Sequence, residues 1–177
     1  MLYHRVNIVN AMRTLEIEKV TVNIGVGESG DKLQKAKKLL ERITGRTAIL
    51  TKARKREQVF KIRKGDEIGV KVTIRGKAAD EFLVKAFEAV DQKLKMSSLD
   101  KYGNFSFGVR EYIDFPGVRY DPTIGLVGFD VCVTMTRPGV RVIDRRRKRS
   151  VLPVSHRGTR DEVLEILKDK YKINIVE

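Results

Sequence analysis

Seven basic side chains lie between Lys52 and Lys64 with one acid among them, Glu57, and nine lie between Arg137 and Arg160 with one acid, Asp144. These two stretches contribute +6 and +8, the whole of the chain's net charge of +14. The other 140 residues carry 21 positive and 21 negative side chains and cancel. Clustered cations do the chemistry of polyphosphate binding, because each neutralised phosphate releases condensed counterions and adds affinity without a shaped pocket. An anionic membrane surface is the competing partner. A merely solvated charged surface is the bland alternative, but blocks of like charge repel one another in a free protein and more often serve as interaction surfaces.

A second constellation points elsewhere. Gly25-Val26-Gly27-Glu28-Ser29-Gly30 fits the G-x-G-x-x-G pattern after a strand and before a helix, the local context of a dinucleotide site. The next strand, Thr47 to Leu50, is followed by Thr51-Lys52-Ala53-Arg54, whose cations could hold the 2′-phosphate of NADP. An NADP-dependent oxidoreductase is therefore the rival reading. Against it, the chain continues into a hairpin and not into further strand-helix-strand crossovers, which leaves half the expected sheet missing. The glycines then read as a tight turn that lets backbone approach an RNA phosphate.

No catalytic set, cofactor site or metal site emerges from the other residues. His156 sits in a basic loop with no cue to a partnered serine, and Asp80 and Glu81 fall on a helix flank. His4 and His156 have no cysteine or histidine at ligand spacing, so zinc is not expected. Cys132, the one cysteine, lies in the apolar stretch Val127 to Val133 and reads as a buried, inert thiol.

The elements that must position these groups follow from periodicity. At 177 residues and 41% hydrophobic content the chain suits one domain with a substantial core. No apolar run approaches the ~20 residues of a membrane span, so a soluble protein is expected. Met1 to Asn10 lacks the apolar core of a secretory leader. Glu18 to Val26 alternates as a half-buried strand, with Val20, Val22 and Ile24 inward. Asp31 to Thr44 places Leu33, Ala36, Leu39, Leu40 and Ile43 on one helical face and ends at Gly45. A second helix is predicted from Ala78 to Lys95, and a third after the capping box Thr159-Arg160-Asp161-Glu162. Lys172 to Glu177 reads as a closing strand.

Between the first two helices the pattern predicts a hairpin, Gln58 to Arg63 against Ile68 to Arg75. Pairing Ile62 with Val70 and Phe60 with Val72 buries those four side chains against the helices and gathers Lys61, Arg63, Lys71, Thr73 and Arg75 on the opposite face. That face suits an RNA backbone about as well as it suits plain water. Of the aromatic residues between Tyr102 and Tyr120, Phe105 and Phe107 read as core and Tyr102 as the exposed ring able to stack on a base. Val140 to Arg157, around Arg145, Arg146, Arg147, Lys148 and Arg149, has too few apolar anchors to fold alone and is expected to be a mobile arm that orders on RNA.

Val22-Asn23-Ile24-Gly25-Val26-Gly27, Thr51-Lys52-Ala53-Arg54-Lys55, Phe60-Lys61-Ile62-Arg63, Gly69 to Gly76, Tyr102-Gly103-Asn104-Phe105-Ser106-Phe107-Gly108 and Phe115-Pro116 together resemble the L5 family of large-subunit ribosomal proteins. The resemblance runs in order from about Asn10 to the C-terminus. Arg137-Pro138-Gly139, the basic cluster after it and His156-Arg157 look like the archaeal and eukaryotic branch. It implies an α+β fold with a mainly antiparallel sheet, helices on one face and a long basic loop. It further implies a cytoplasmic, ribosome-bound protein that contacts 5S rRNA and other large-subunit rRNA in the central protuberance, near the P-site tRNA. Neighbouring ribosomal proteins, with a small-subunit head contact, are implied as partners. By matched position, Asn23, Thr51, Lys52, Thr73 and Arg75 would contact 5S rRNA, joined by Lys71 on the same face. The loop carrying Arg54, Lys55 and Arg56 would approach the tRNA elbow, with Arg145 to Arg149 a further RNA-binding arm.

Overall fold

The structure, a computed structural model, describes residues 10–176. The readings that touch His4, Glu177 and the first nine residues lie outside the described part. Alternation drives the longest strand, β1 (Glu16–Gly25), whose Val20, Val22 and Ile24 are buried while Thr21 and Asn23 between them are not. It becomes the centre of a five-stranded sheet in the order β2-β3-β1-β6-β5, with β2 Ile49–Lys52, β3 Glu67–Ile74, β5 Phe105–Val109 and β6 Phe129–Thr136. All four pairings are antiparallel. Helices α1 (Asp31–Thr44) and α2 (Lys77–Glu88) share one core with the sheet's inner face through Leu33, Leu39, Leu40, Phe82, Leu83 and Phe87. The fold is α+β.

Antiparallel pairing of β1 on both sides also removes the dinucleotide reading, which needs a parallel strand-helix-strand unit. The glycine turn is instead fastened to the neighbouring strand: Val26 and Gly27 both donate their N–H groups to the Ile68 carbonyl, at 3.0 and 2.8 Å. Gly27 takes φ 79°, a left-handed conformation that a side chain would strain.

The predicted hairpin register is corrected. β3 pairs with β1, Val72 opposite Val22, and with β2, Val70 opposite Leu50; residues 58–63 are not its partner. Pairing with β1 and β2 brings Val20, Val22, Ile24 and Leu50 against Val70, Val72 and Ile74, more apolar surface than Phe60 and Ile62 could offer. Phe60 is 71% exposed. Residues 53–66 leave the sheet as a loop closed at its base, with Ala53 donating to the Asp66 carbonyl (2.8 Å) and Gly65 to the Ala53 carbonyl (2.9 Å).

Helix α2 stops at Glu88, short of the predicted Lys95. Asp91 and Gln92 adopt φ of 54° and 55°, turning the chain so that Leu94 is buried from a strand, β4 (Lys93–Lys95). β4 lies parallel to the closing strand β7 (Asn174–Val176). Between them in sequence come α3 (Arg141–Asp144) and α4 (Arg160–Tyr171). The expected capping box is present on α4: Glu162 N–H reaches the Thr159 hydroxyl, and the Glu162 carboxylate accepts from Thr159 N–H.

Candidate nucleic-acid interface

Because period two sends alternate side chains to opposite faces, the core-forming residues of the sheet fix what the other face presents. Val70, Val72 and Ile74 point inward, so Lys71 and Thr73 point outward, and both are exposed. The register then writes the outer face in rows across the strands. Thr51, Gly69 and Gly25 form one row; Ile49, Lys71, Asn23, Asp130 and Gly108 the next; Thr73, Thr21, Cys132 and Ser106 a third. Small hydroxyl, amide and glycine positions dominate, with one lysine and one aspartate. Such a surface lets a sugar-phosphate backbone come close while offering hydrogen-bond partners to 2′-hydroxyls.

One row is shaped by close packing. A Cβ at Gly69 would stand 2.8 Å from the Thr51 hydroxyl and 2.9 Å from the Ile24 carbonyl, so this part of the face must stay flat. Asn23 lies directly between Lys71 and Asp130, and Thr51 at the sheet's edge. Lys52, exposed at the end of β2, leads from the face into the basic loop. Arg75, just past β3, has its Nη1 3.3 Å from Glu18 Oε1, which Lys19 also approaches at 3.3 Å. Glu18 occupies the Arg75 guanidinium where a phosphate oxygen could sit.

The structure therefore brings Asn23, Thr51, Lys71 and Thr73 together on one face, with Lys52 and Arg75 at its borders. Lys61 and Arg63, expected on that face, belong to the loop. There, Glu57 and Ile62 exchange two backbone bonds of 2.9 Å and pin a tight turn whose tip is Val59 and Phe60. Arg54, Lys55 and Arg56 are all exposed along it, and no ion pair among the described residues engages them.

The second basic segment forms an excursion with its own local bonds. Ser150 donates to the Val142 carbonyl (3.2 Å), and Arg145 Nε to the Lys148 carbonyl (2.8 Å), while Arg145 to Arg149 all stay exposed. Its base is clasped. Arg137, 7% exposed, sets Nη2 2.5 Å from both carboxylate oxygens of Glu162, and Arg160 donates to the Met96 carbonyl. Burial opposes ionisation of Glu162, but the Thr159 N–H and the Arg137 guanidinium outweigh it and hold its carboxyl below the ordinary range.

Two sequence readings are corrected here. Tyr102 is half-buried, with the Arg157 guanidinium 4.6 Å from its ring centre and Lys101 Nζ at 5.1 Å; among the described residues the exposed rings are Phe60 and Tyr120. Cys132 is exposed on the outer face, because its neighbours Val131 and Val133 take the inward positions. Partial burial and nearby Asp130 raise its thiol pKa, which keeps it protonated and a weak nucleophile. Sequence reasoning missed Thr21, Asp130, Ser106 and Glu18 as face or border residues. The alternation in Phe129 to Thr136 was the available signal for β6.

Known proteins match this chain along nearly its whole length. A family model described as "Ribosomal protein L5" matches residues 10–63, and the model of the ribosomal L5 family C-terminus matches residues 67–157. The chain is 52% identical to the large ribosomal subunit protein uL5 of Sulfurisphaera tokodaii over 170 residues, covering 96% of each. It is 49% identical to that of Sulfolobus acidocaldarius, covering 95% of this chain and 94% of the relative. For Methanococcoides burtonii the identity is 45%, over 94% and 98%. A sheet open on one face, a cationic loop continuous with it, and relatives matched along nearly the full length place the chain in the ribosomal L5 family, as a noncatalytic protein of the large ribosomal subunit in the cytoplasm.

Proposed function

We propose that this chain is the 5S rRNA-binding component of the central protuberance, acting as a single α+β RNA-binding unit that also touches other large-subunit rRNA and the P-site tRNA. The observation that carries this is the outer sheet face. It is uncovered by helix, built of Asn23, Thr51, Lys71 and Thr73, and bordered by Lys52 and Arg75. Thr73 and Arg75 read folded RNA through its shape and 2′-hydroxyls, and the lysines supply the salt-sensitive attraction. Arg54, Lys55 and Arg56 approach the tRNA elbow from the loop, and Arg145 to Arg149 grip rRNA less selectively.

Filter binding of 5S rRNA, bulk tRNA and NADPH at several salt concentrations tests the assignment. Arg75→Ala is expected to weaken 5S rRNA binding by about tenfold, the ~1.4 kcal/mol of a charge-assisted hydrogen bond, and to weaken a random duplex less. Equal losses on both RNAs would reduce the face to generic electrostatics, and a saturable NADPH site without 5S preference would overturn the proposal.

A further inference from the structure

Away from the cationic surfaces, the chain forks. Leu99 pairs with Phe105, and Asp100 donates to the Asn104 carbonyl at 2.8 Å, so the approach to β5 begins as an antiparallel ladder. From that apex β4 diverges from β5, and a cleft of about 820 Å³ opens between them, lined by Lys93, Leu94 and Lys95 on one prong and Phe107, Gly108 and Arg110 on the other. Its volume falls in the range of pre-formed binding clefts.

Both prongs present backbone. The Asn104 carbonyl points away from β6, so alternation aims the Ser106 carbonyl and both polar groups of Gly108 into the cleft. On β4, Asn174 donates to the Gln92 carbonyl, so Gln92 and Leu94 face β7, and Lys95 with the Lys93 carbonyl faces the cleft. Among the described residues no strand pairs with either of these edges. Open edges are templates for another strand. The charge here is unlike that of the RNA surfaces: Lys93, Lys95 and Arg110 are balanced by Glu88, Asp91 and Asp114 along the same walls. A balanced lining favours a protein over a polyphosphate.

We propose that this cleft takes an extended segment of a neighbouring protein in the assembled ribosome, inserted as a strand between β5 and β4 and carrying carboxylates at alternate positions. That inserted strand joins the two sheets into one. Its carboxylates pair with Lys93 and Lys95, which stand exposed on the same face of β4 and have no ion-pair partner among the described residues. The proposal rests on membership of the ribosome, not on the 5S rRNA contact, so failure of one leaves the other standing.

The test places the photo-crosslinking residue benzoylphenylalanine at Arg110, on the wall of the cleft opposite β4, in reconstituted large subunits and whole ribosomes, with adducts mapped by mass spectrometry. The expected adduct is a short acidic-alternating segment of another ribosomal protein, abolished by Lys95→Pro or Gly108→Pro, which remove an outward N–H while leaving the pairs with β7 and β6. An adduct to RNA, to residues 1–9 of the same chain or to a second copy of it, no adduct, or one indifferent to both prolines would each overturn the proposal. Should the proline variants fail to fold, hydrogen exchange on the unsubstituted protein decides: the Lys95 and Gly108 amides are expected to slow at least tenfold on assembly, and unchanged rates count against the inserted strand.

Discussion

The loop 53–66 and the arm 137–160 are both cationic, with net charges of +4 and +8, on opposite designs. The loop grows directly out of two sheet strands, is laced by backbone bonds at its base and again at Glu57 and Ile62, and continues the flat outer face through Lys52. The arm has one short helix, α3, and otherwise local bonds of its own, and is fixed towards its ends, by Arg137 on Glu162, Arg157 on Tyr102 and Arg160 on Met96. Charge alone attracts any polyanion. Charge held in register with a shaped surface can choose among them, and only the loop and face have that register.

The largest expected consequence of this contrast lies in the arm. Replacing Arg145 to Arg149 with serine removes five cations and should lower the salt slope of RNA binding by roughly 3.5 to 4.5, at ~0.7 to 0.9 for each phosphate no longer neutralised. Affinity for 5S rRNA and for unrelated RNA should fall alike, with the urea midpoint unchanged; a preferential loss on 5S rRNA would erase the distinction drawn between the two regions. Arg137→Ala should do the reverse. It frees a partly exposed Glu162 and opens a buried site, so unfolding free energy should drop by about 2 kcal/mol in urea melts, with little change in salt slope. A drop below about 0.5 kcal/mol, the usual range of a surface substitution, would mean the clasp is not what fixes the arm.

Acid sharpens the same point. Burial raises the Asp80 carboxyl, but hydrogen bonds from Lys170 and Tyr171 more than reverse it, so Asp80, like Glu162, has a lowered pKa in the folded chain. A lowered carboxylate contributes stability that is full above the unfolded value of about 4 and is lost as pH falls through the folded one. Stability should therefore decline below about pH 4, and Glu162→Gln should flatten part of that decline, as followed by urea melts across pH. The smallest effect is expected at the face: Glu18→Gln releases Arg75 from its carboxylate partner and should tighten 5S rRNA binding about twofold, an exposed pair being worth about 0.5 kcal/mol.

Local chemistry was legible in the residues, and partner choice was not. Strand β1, helix α1 with its Gly45 stop, and the α4 capping box follow from alternation, helical periodicity and one hydroxyl-carboxylate spacing. The hairpin failed because Phe60 and Ile62 alternate as convincingly as Leu50 does, and which run β3 pairs with depends on apolar surface gathered from distant strands. Helix α2 was overrun because Val90 and Leu94 continue its stripe, and the left-handed turn at Asp91 and Gln92 has no glycine to announce it. For the site, Lys71 and Thr73 were placed on the outward face despite the wrong partner, since the direction of each side chain depends on β3's own alternation, whereas Asn23 on β1 and Thr51 on β2 entered through the resemblance alone. Cys132 was misplaced by reading a run of hydrophobicity where a period of two was present.

The clasp between Arg137 and Glu162 also sets how freely the arm can change in length. Because the two ends are held together by the core, the arm is a closed loop whose entropic cost grows only with the logarithm of its size, about 0.6 kcal/mol for a doubling. Insertions or a single cut among Arg145 to Arg149 would leave the packing of the fold's core in place. The arm is thus the part of this molecule that can be lengthened, shortened or rewritten while the core and the sheet built on it stay fixed.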